Sequence, residues 1–178
     1  MSEKELISEL SAKLEQETAE DSFSGAVLIA RNGAPIFAEA YGLVDRERAT
    51  RNTVQTRFRL GSINKMFTGV ATLQLVEAGK LRVDDPLGKY LTDFPQKEVA
   101  TKVTVEHLPD HSTHYGYGFE HHTTNGVHWI GHTGGAIGMN GDLEFSPELG
   151  YTVVSLANLD PPSAGRIARF IITSLSIK

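Results

Sequence analysis

The 178-residue sequence contains no cysteine. Disulfide bonds, thiolate metal sites and cysteine nucleophiles are therefore excluded, while the redox compartment is left open. No run of about 18 apolar residues occurs, and the charged residues 1–21 lack the apolar stretch of a signal peptide. We therefore expect a soluble chain without a signal peptide and without membrane contact, in a compartment that the sequence does not identify.

A basic surface is also missing. The formal net charge is -5 and the isoelectric point is near 5.8. The arginines and lysines are scattered along the chain, which argues against nucleic acid as a partner. With 40% apolar and 22% charged residues, the composition is typical of a globular protein, and the length predicts one core domain spanning residues 1–178.

Apolar periodicity predicts structured segments at both ends of the chain. Leu6, Leu10 and Leu14 recur at helical spacing and predict an amphipathic helix over residues 3–19. Two apolar runs, SGAVLIARN and PIFAEAYG, flank an Asn32-Gly33 step that is typical of a β-hairpin. The final segment, residues 161–178, begins with proline and carries apolar residues at helical spacing, which predicts a closing helix.

The central part of the chain is predicted to contain a short strand, a helix, a loop and further strands. Residues 57–61 (RFRLG) are predicted as a short strand, followed by a helix that Gly79 ends. Met66, Val70, Leu73 and Val76 fall on one face of that helix. Residues 81–96 read as a loop with at most short helical turns, and the segments from about residue 115 to 159 as antiparallel strands. This order predicts an α+β fold, an antiparallel β-sheet flanked by N- and C-terminal helices.

Ser62 and Lys65 are the first candidates for chemistry. In a helix, residues three apart share a face, so the Lys65 amine can reach the Ser62 hydroxyl, as a nucleophile and its base require. Desolvation would favour a neutral lysine, and a helix N-terminus favours a nearby oxyanion. The alternative is structural: Ser62 caps the helix and Lys65 is a solvated residue of its first turn.

A glycine-rich segment, GHTGGAIG at residues 131–138, is the second candidate. Small residues at Thr133, Gly134 and Gly135 would let a substrate lie close to a strand backbone. The structural alternative is a glycine-rich bend between two strands.

Together these motifs resemble those of the serine β-lactamase and penicillin-binding-protein family, in which Ser-x-x-Lys is combined with a Lys-Thr-Gly strand motif. In the class C and esterase-like branches the strand motif is often His-Thr-Gly-Gly, as residues 132–135 read here. The similarity extends over residues 23–42, over residues 58–91, and over YGYGF and the closing segments.

The resemblance implies a role for each motif residue. Ser62 would be the nucleophile and Lys65 its base, while the backbone N–H groups of Ser62 and Gly135 would form the oxyanion hole. His132 and Thr133 would bind a substrate carboxylate or assist proton transfer, with Gly134 leaving room for the substrate. For His132, a partly buried strand histidine is the structural alternative. No cofactor is implied.

The sequence also departs from the family. Members normally carry a large helical domain before YGYGF. Here the segment HLPDHSTH leads almost directly into YGYGF. We therefore predict that the helical domain is absent, with its junction near residues 109–115. The family's Tyr-x-Asn motif lies on that domain, and no tyrosine here is followed two positions later by asparagine. We therefore expect an open site with weak turnover unless Tyr115 or Tyr117 substitutes.

The histidines suggest one alternative kind of site, a metal site. All seven lie between residues 107 and 132. His107 and His111 are four apart, but Pro109 interrupts a helix between them, and the adjacent His121 and His122 would point to opposite faces of a strand. We therefore predict no metal site.

Two functions remain open. The first is a serine hydrolase core that forms an acyl-enzyme on a small-molecule ester or β-lactam. The second is a catalytically silent scaffold that keeps the fold, binds ligands or self-associates as a homo-oligomer through the surface that the missing domain would cover.

Overall fold

The computed structural model describes residues 1–105 and 115–176, which contain four α-helices and nine β-strands. The helices are α1 (Glu3–Ala19), α2 (Asn64–Glu77), α3 (Lys97–Lys102) and α4 (Ser163–Leu175). The strands are β1 (Gly25–Arg31), β2 (Ala34–Tyr41), β3 (Leu43–Asp45), β4 (Thr50–Arg51), β5 (Tyr115–Gly116), β6 (Phe119–Thr124), β7 (Val127–Ala136), β8 (Met139–Ser146) and β9 (Tyr151–Ala157). Within these residues, no helix combines the length and apolar character that crossing a bilayer requires.

The chain divides into two compact units. The first contains Met1–Asn64 and His121–Lys178, and the second contains Lys65–Glu120. That residues 1–178 form one domain, and that a helical domain is absent, stay predictions. The proposed junction near residues 109–115 falls almost entirely outside the described residues.

The sheet is antiparallel. In the first unit its hydrogen-bonded order is β2-β1-β9-β8-β7-β6, and in the second unit β5 pairs with the beginning of β6. Asn32 and Gly33 both take positive φ angles, of 49° and 79°, as a tight two-residue hairpin turn requires. The predicted α+β class is confirmed.

The core of the first unit lies between the sheet and the two terminal helices. A capping box between Ser2 and Glu5 starts α1, which buries the face that carries Leu6, Leu10 and Leu14. The predicted helix over residues 3–19 is confirmed to its ends. Helix α4 buries Ile167 and Ile171 beside them, so both terminal helices cover the same apolar cluster, which also includes Trp129 of β7.

The strand predicted over residues 57–61 is wrong. The structure assigns no strand to residues 52–60, and a 3₁₀ turn follows at Gly61–Ile63. Leu60 already has helical backbone angles and Gly61 has a φ of 55°, so the chain turns before a strand could pair.

Helix α2 follows this turn and ends as predicted. Gly79 has a φ of 66°, and its N–H and that of Lys80 donate to the carbonyls of Val76 and Leu75. Of the face predicted from periodicity, Met66 is buried, whereas Val70 and Leu73 are exposed. The helix is therefore present, but its apolar face is only partly covered.

Candidate active site

Ser62 lies in the middle of the 3₁₀ turn at Gly61–Ile63, immediately before α2. Ile63 is buried and anchors the turn, while Ser62 is half-buried. Gly61 adopts a left-handed conformation that side chains other than glycine rarely accept. The turn therefore presents Ser62 at the start of a helix, where backbone N–H groups point outward.

The backbone of this turn packs directly on the glycine-rich strand β7. A Cβ atom at residue 134 would lie 2.2 Å from the Leu60 carbonyl oxygen and 3.1 Å from the Ser62 nitrogen. A Cβ atom at residue 61 would lie 3.3 Å from the Gly135 nitrogen. Because only glycine permits these approaches, the structure brings together two motifs that are distant in the sequence.

Strand β8 supports the same turn from the neighbouring position in the sheet. A Cβ atom at Gly141 would lie 2.8 Å from the Cδ1 atom of Ile63, and one at Gly61 would lie 2.7 Å from the Cε atom of Met139. The turn thus packs against Gly134, Gly141 and Met139, and these contacts set its distance from the sheet.

Asn140, which the sequence analysis did not identify, links the glycine motif to α4. Its Nδ2 donates to the Gly134 carbonyl over 3.0 Å, and its Oδ1 accepts from the N–H groups of Ala164 (2.8 Å) and Gly165 (3.1 Å). The side chain is buried. Its signal in the sequence is weak, because an asparagine beside Gly141 also suits a turn.

His132 lies two residues before Gly134 on the same strand and is 5% exposed. Since alternate residues of a strand share a face, His132 lies on the face that carries Gly134. Its Nδ1 is within hydrogen-bond reach of the Thr133 carbonyl, which can only accept.

Thr133 and Gly135 occupy the alternate positions of β7. They pair in register with Asp142 and Asn140 of β8, and both are exposed. The side chain of Thr133 therefore lies on the sheet face opposite to His132, so the two side chains are not brought together. The roles proposed for His132, Thr133 and Gly135 stay predictions.

Lys65 belongs to the second unit, and its side chain is exposed. Its pairing with Ser62 rests on the three-residue spacing and stays a prediction.

Within the second unit, the turn before β6 packs on the beginning of α2. A Cβ atom at Gly69 would lie 2.0 Å from the Tyr117 carbonyl oxygen, and one at Gly118 would lie 2.5 Å from the Lys65 carbonyl oxygen. Tyr117, proposed as a substitute for the missing tyrosine, thus lies beside α2 through its backbone, and that substitution stays a prediction.

The histidines of the described residues do not form a larger cluster. His121 stacks on His128 with ring centroids 5.4 Å apart, and His122 Nδ1 lies 3.9 Å from Glu144 Oε2. No group of three or more His, Asp or Glu side chains with the geometry of a metal site occurs within residues 1–105 and 115–176. His107 and His111 lie outside the described residues.

The described residues thus form an antiparallel sheet flanked by terminal helices, with the serine turn packed on a glycine-rich strand, as predicted for a β-lactamase-like core. The family model described as Beta-lactamase matches residues 10–115, which is more than half of the chain. The chain therefore belongs to the β-lactamase family, as the motifs predicted.

Relatives with known descriptions are consistent with this assignment. The chain is 35% identical over 116 residues to Esterase EstB of Burkholderia gladioli, covering 63% of this chain and 30% of that protein. It is 37% identical over 82 residues to the teichoic acid D-alanine hydrolase of Staphylococcus aureus, covering 46% of this chain and 21% of that protein. The chain thus spans less than a third of the length of these relatives.

A solved structure shows the same fold over almost the whole chain. The octameric penicillin-binding protein homologue from Pyrococcus abyssi superimposes with a TM-score of 0.82 at 15% identity, covering 95% of this chain and 77% of that chain. The family and the fold are therefore established.

Proposed function

We propose that this chain is a serine hydrolase core that forms an acyl-enzyme on small esters or β-lactams. The Ser62 Oγ attacks the carbonyl carbon, and its proton passes to the Lys65 amine. The C–O bond of an ester or the C–N bond of a lactam then breaks, and the leaving group takes up the proton. Water releases the acyl group in the reverse sequence of proton transfers.

The packing of the serine turn on the glycine motif is the observation that carries this proposal. The backbone atoms of Leu60 and Ser62 lie close enough to Gly134 that only glycine fits there. This packing supports the assignment of the Ser62 and Gly135 N–H groups as the two donors to one oxyanion. In acyl transfer, one such donor contributes roughly 3–4 kcal/mol to transition-state stabilisation.

His132 is suited to assist proton transfer. His132 lies on the strand face that carries Gly134, and a histidine side chain can accept and donate protons near neutral pH. Thr133 lies on the other face, so we assign its contribution to the strand backbone rather than to its hydroxyl.

Turnover is expected to be slow. Lys65 is exposed, and the Tyr-x-Asn motif of the family is missing from the sequence, so the base operates without enclosure. Excluding water strengthens every electrostatic interaction in such a site, and its loss weakens both acylation and deacylation. In the family that the chain resembles, the missing tyrosine helps deacylation, so we expect deacylation to be slowed more than acylation and the acyl-enzyme to accumulate.

Intact mass measurement after incubation with p-nitrophenyl acetate and with benzylpenicillin tests the proposal. We expect one acyl adduct per chain, with Ser62→Ala giving none and Ser163→Ala, which removes a buried serine of α4, keeping the adduct. An adduct that persists in Ser62→Ala, or no adduct with either reagent, would contradict the assignment of Ser62 as nucleophile.

A second candidate function, a scaffold that self-associates, is favoured by the exposed side chains of α2. Phe67, Val70, Leu73 and Leu75 are 39% to 57% exposed. The run of residues 66–76 carries no charged side chain, so two copies of α2 can approach without like-charge repulsion. A second copy of this chain is therefore the partner that we propose for this helix.

Light scattering coupled to size exclusion tests this self-association. We expect a concentration-dependent mass above the 19.4 kDa of one chain, and Phe67→Glu to return the protein to a monomer. Val44→Glu, which places the same charge at a 45% exposed valine of β3, is the matched control. A monomer at all concentrations would eliminate the scaffold hypothesis in this form.

A further inference from the structure

Two histidines of the first unit, His121 of β6 and His128 of β7, form a pair across neighbouring strands. Their ring centroids lie 5.4 Å apart, and the angle between the ring planes is 19°. The Nδ1 atom of His121 lies 3.3 Å from the Nε2 atom of His128. The mechanism proposed for Ser62 uses neither histidine, so the pair has no role in it.

The strands that carry the pair hold it in a defined position. A tight turn at Asn125-Gly126 joins β6 to β7, and both of its residues take positive φ angles, of 50° and 80°. On β7, Val127 and Trp129 are 1% and 0% exposed. The backbone on either side of His128 is therefore anchored in the core. Little conformational entropy is lost when one ligand holds both imidazoles, because the fold already brings them together.

The separation of the two nitrogen atoms agrees with a shared metal ion. A distance of 3.3 Å is at the long end for a hydrogen bond from an N–H group. Two imidazole nitrogens bound to one tetrahedral zinc ion, each about 2.0–2.1 Å from it, are roughly 3.3–3.4 Å apart. Either ring nitrogen of a neutral histidine can be a metal ligand when the proton lies on the other. A small rotation of each ring would therefore direct both lone pairs at one cation.

The neighbouring polar side chains lie too far away to complete a larger site. His122 points to the opposite face of β6 from His121, and its Nδ1 lies 3.9 Å from Glu144 Oε2. His132 shares a strand face with His128, but four residues of extended strand separate their Cα atoms by about 13 Å. Within residues 1–105 and 115–176, no third His, Asp or Glu joins the pair. The pair thus supplies two nitrogen ligands, and water would fill the remaining positions.

The ligand type determines which metal ions this pair would bind. Imidazole nitrogen suits Zn²⁺, Ni²⁺ and Cu²⁺, whereas Mg²⁺ and Ca²⁺ prefer oxygen ligands. His121 and His128 are both half-buried rather than fully buried, so a hydrated ion can reach them from solvent. The two residues therefore combine the chemistry, the spacing and the accessibility that a transition-metal ion requires.

We propose that His121 and His128 form a binding site for a divalent transition-metal ion, Zn²⁺ or a cation with the same ligand preference, which bridges β6 and β7. His121 Nδ1 and His128 Nε2 are the two protein ligands. This proposal departs from the prediction that the histidines form no metal site, because that prediction compared His121 only with its neighbour His122. The proposal does not depend on the proposed function, since neither ligand takes part in acylation.

Calorimetric titration of the full chain with Zn²⁺ tests the site, with Mg²⁺ as the control ion. We expect Zn²⁺ to bind with a Kd of about 100 µM or tighter and Mg²⁺ to bind at least about tenfold more weakly. His121→Gln and His128→Gln are each expected to weaken Zn²⁺ binding at least about tenfold, because one imidazole then remains. His122→Gln is the matched control, since it also leaves six of the seven histidines, and it should bind Zn²⁺ as the unmodified chain does.

Equal Zn²⁺ affinities of His122→Gln and His128→Gln would overturn the proposal, as would the lack of saturable binding to the unmodified chain up to about 1 mM Zn²⁺. Thermal unfolding without metal checks that each variant is folded. A crystal structure of the unmodified chain soaked with Zn²⁺ gives a second measurement that needs no variant. We expect an anomalous signal about 2.0–2.1 Å from both His121 Nδ1 and His128 Nε2, and zinc bound only at other residues would overturn the assignment.

Discussion

Replacing Gly134 by alanine is expected to destabilise the protein and to abolish acylation of Ser62. The new Cβ would lie 2.2 Å from the Leu60 carbonyl oxygen and 3.1 Å from the Ser62 nitrogen. Both contacts are with backbone, so the serine turn must move away from β7. Overpacking of this kind costs about 1–3 kcal/mol, and a displacement of about 1 Å at a nucleophile can lower its rate about 100-fold.

Gly165→Ala is the matched control, since the same methyl group enters α4 without a clash. The nearest atom to a Cβ there is Asp142 Oδ2 at 3.7 Å, an ordinary contact. Removing a glycine from a helix should stabilise the protein by up to about 1 kcal/mol and leave the rate of adduct formation unchanged. Chemical denaturation and adduct rates measure both effects. A Gly134→Ala protein as stable and as reactive as the unmodified chain would show that the turn does not rest on this strand as described.

Removing the side chain of Asn140 is the second change with a large expected effect. Asn140→Ala leaves the Gly134 carbonyl and the N–H groups of Ala164 and Gly165 without their partner. Ala164 is fully buried, so water cannot readily replace the amide. We expect the free energy of unfolding to fall by about 2–4 kcal/mol. We also expect slower adduct formation, because the carbonyl that holds the glycine motif is released.

Asn158→Ala provides the comparison. Its Nδ2 donates to one backbone carbonyl, that of Leu43, over 2.9 Å, away from the glycine motif. Its removal should cost only about 1 kcal/mol and leave adduct formation unchanged. If both substitutions had the same effect on stability and on rate, Asn140 would be an ordinary buried amide rather than a residue that positions the motif.

Much of the local structure could be predicted from the residues themselves. The spacing of Leu6, Leu10 and Leu14 gave α1 to its ends, and the Asn32-Gly33 step gave the first hairpin, because both signals act within a few residues. The strand predicted at residues 57–61 was wrong because strand formation depends on a segment elsewhere in the chain. A strand requires a hydrogen-bonding partner, and periodicity does not show whether one is available.

Helix α2 shows that local periodicity also does not predict which helix face is buried. Its apolar periodicity indicated a buried face, yet Val70 and Leu73 are exposed. A helical pattern identifies which residues share a side of a helix, but what covers that side depends on another part of the structure.

For the candidate site, the sequence by itself determined the family, the fold class and the identity of the motif residues. Those properties are encoded in residue types at short spacings, such as Ser62 followed by Lys65 and the run of residues 132–135. Only the tertiary structure decided that Gly134 lies under the serine turn, that Asn140 holds it, and that His132 and Thr133 face opposite sides of the sheet. These relations depend on the order and register of β7, β8 and β9 and on the path of the chain before α2. No local pattern specifies such contacts between segments that are distant in the sequence.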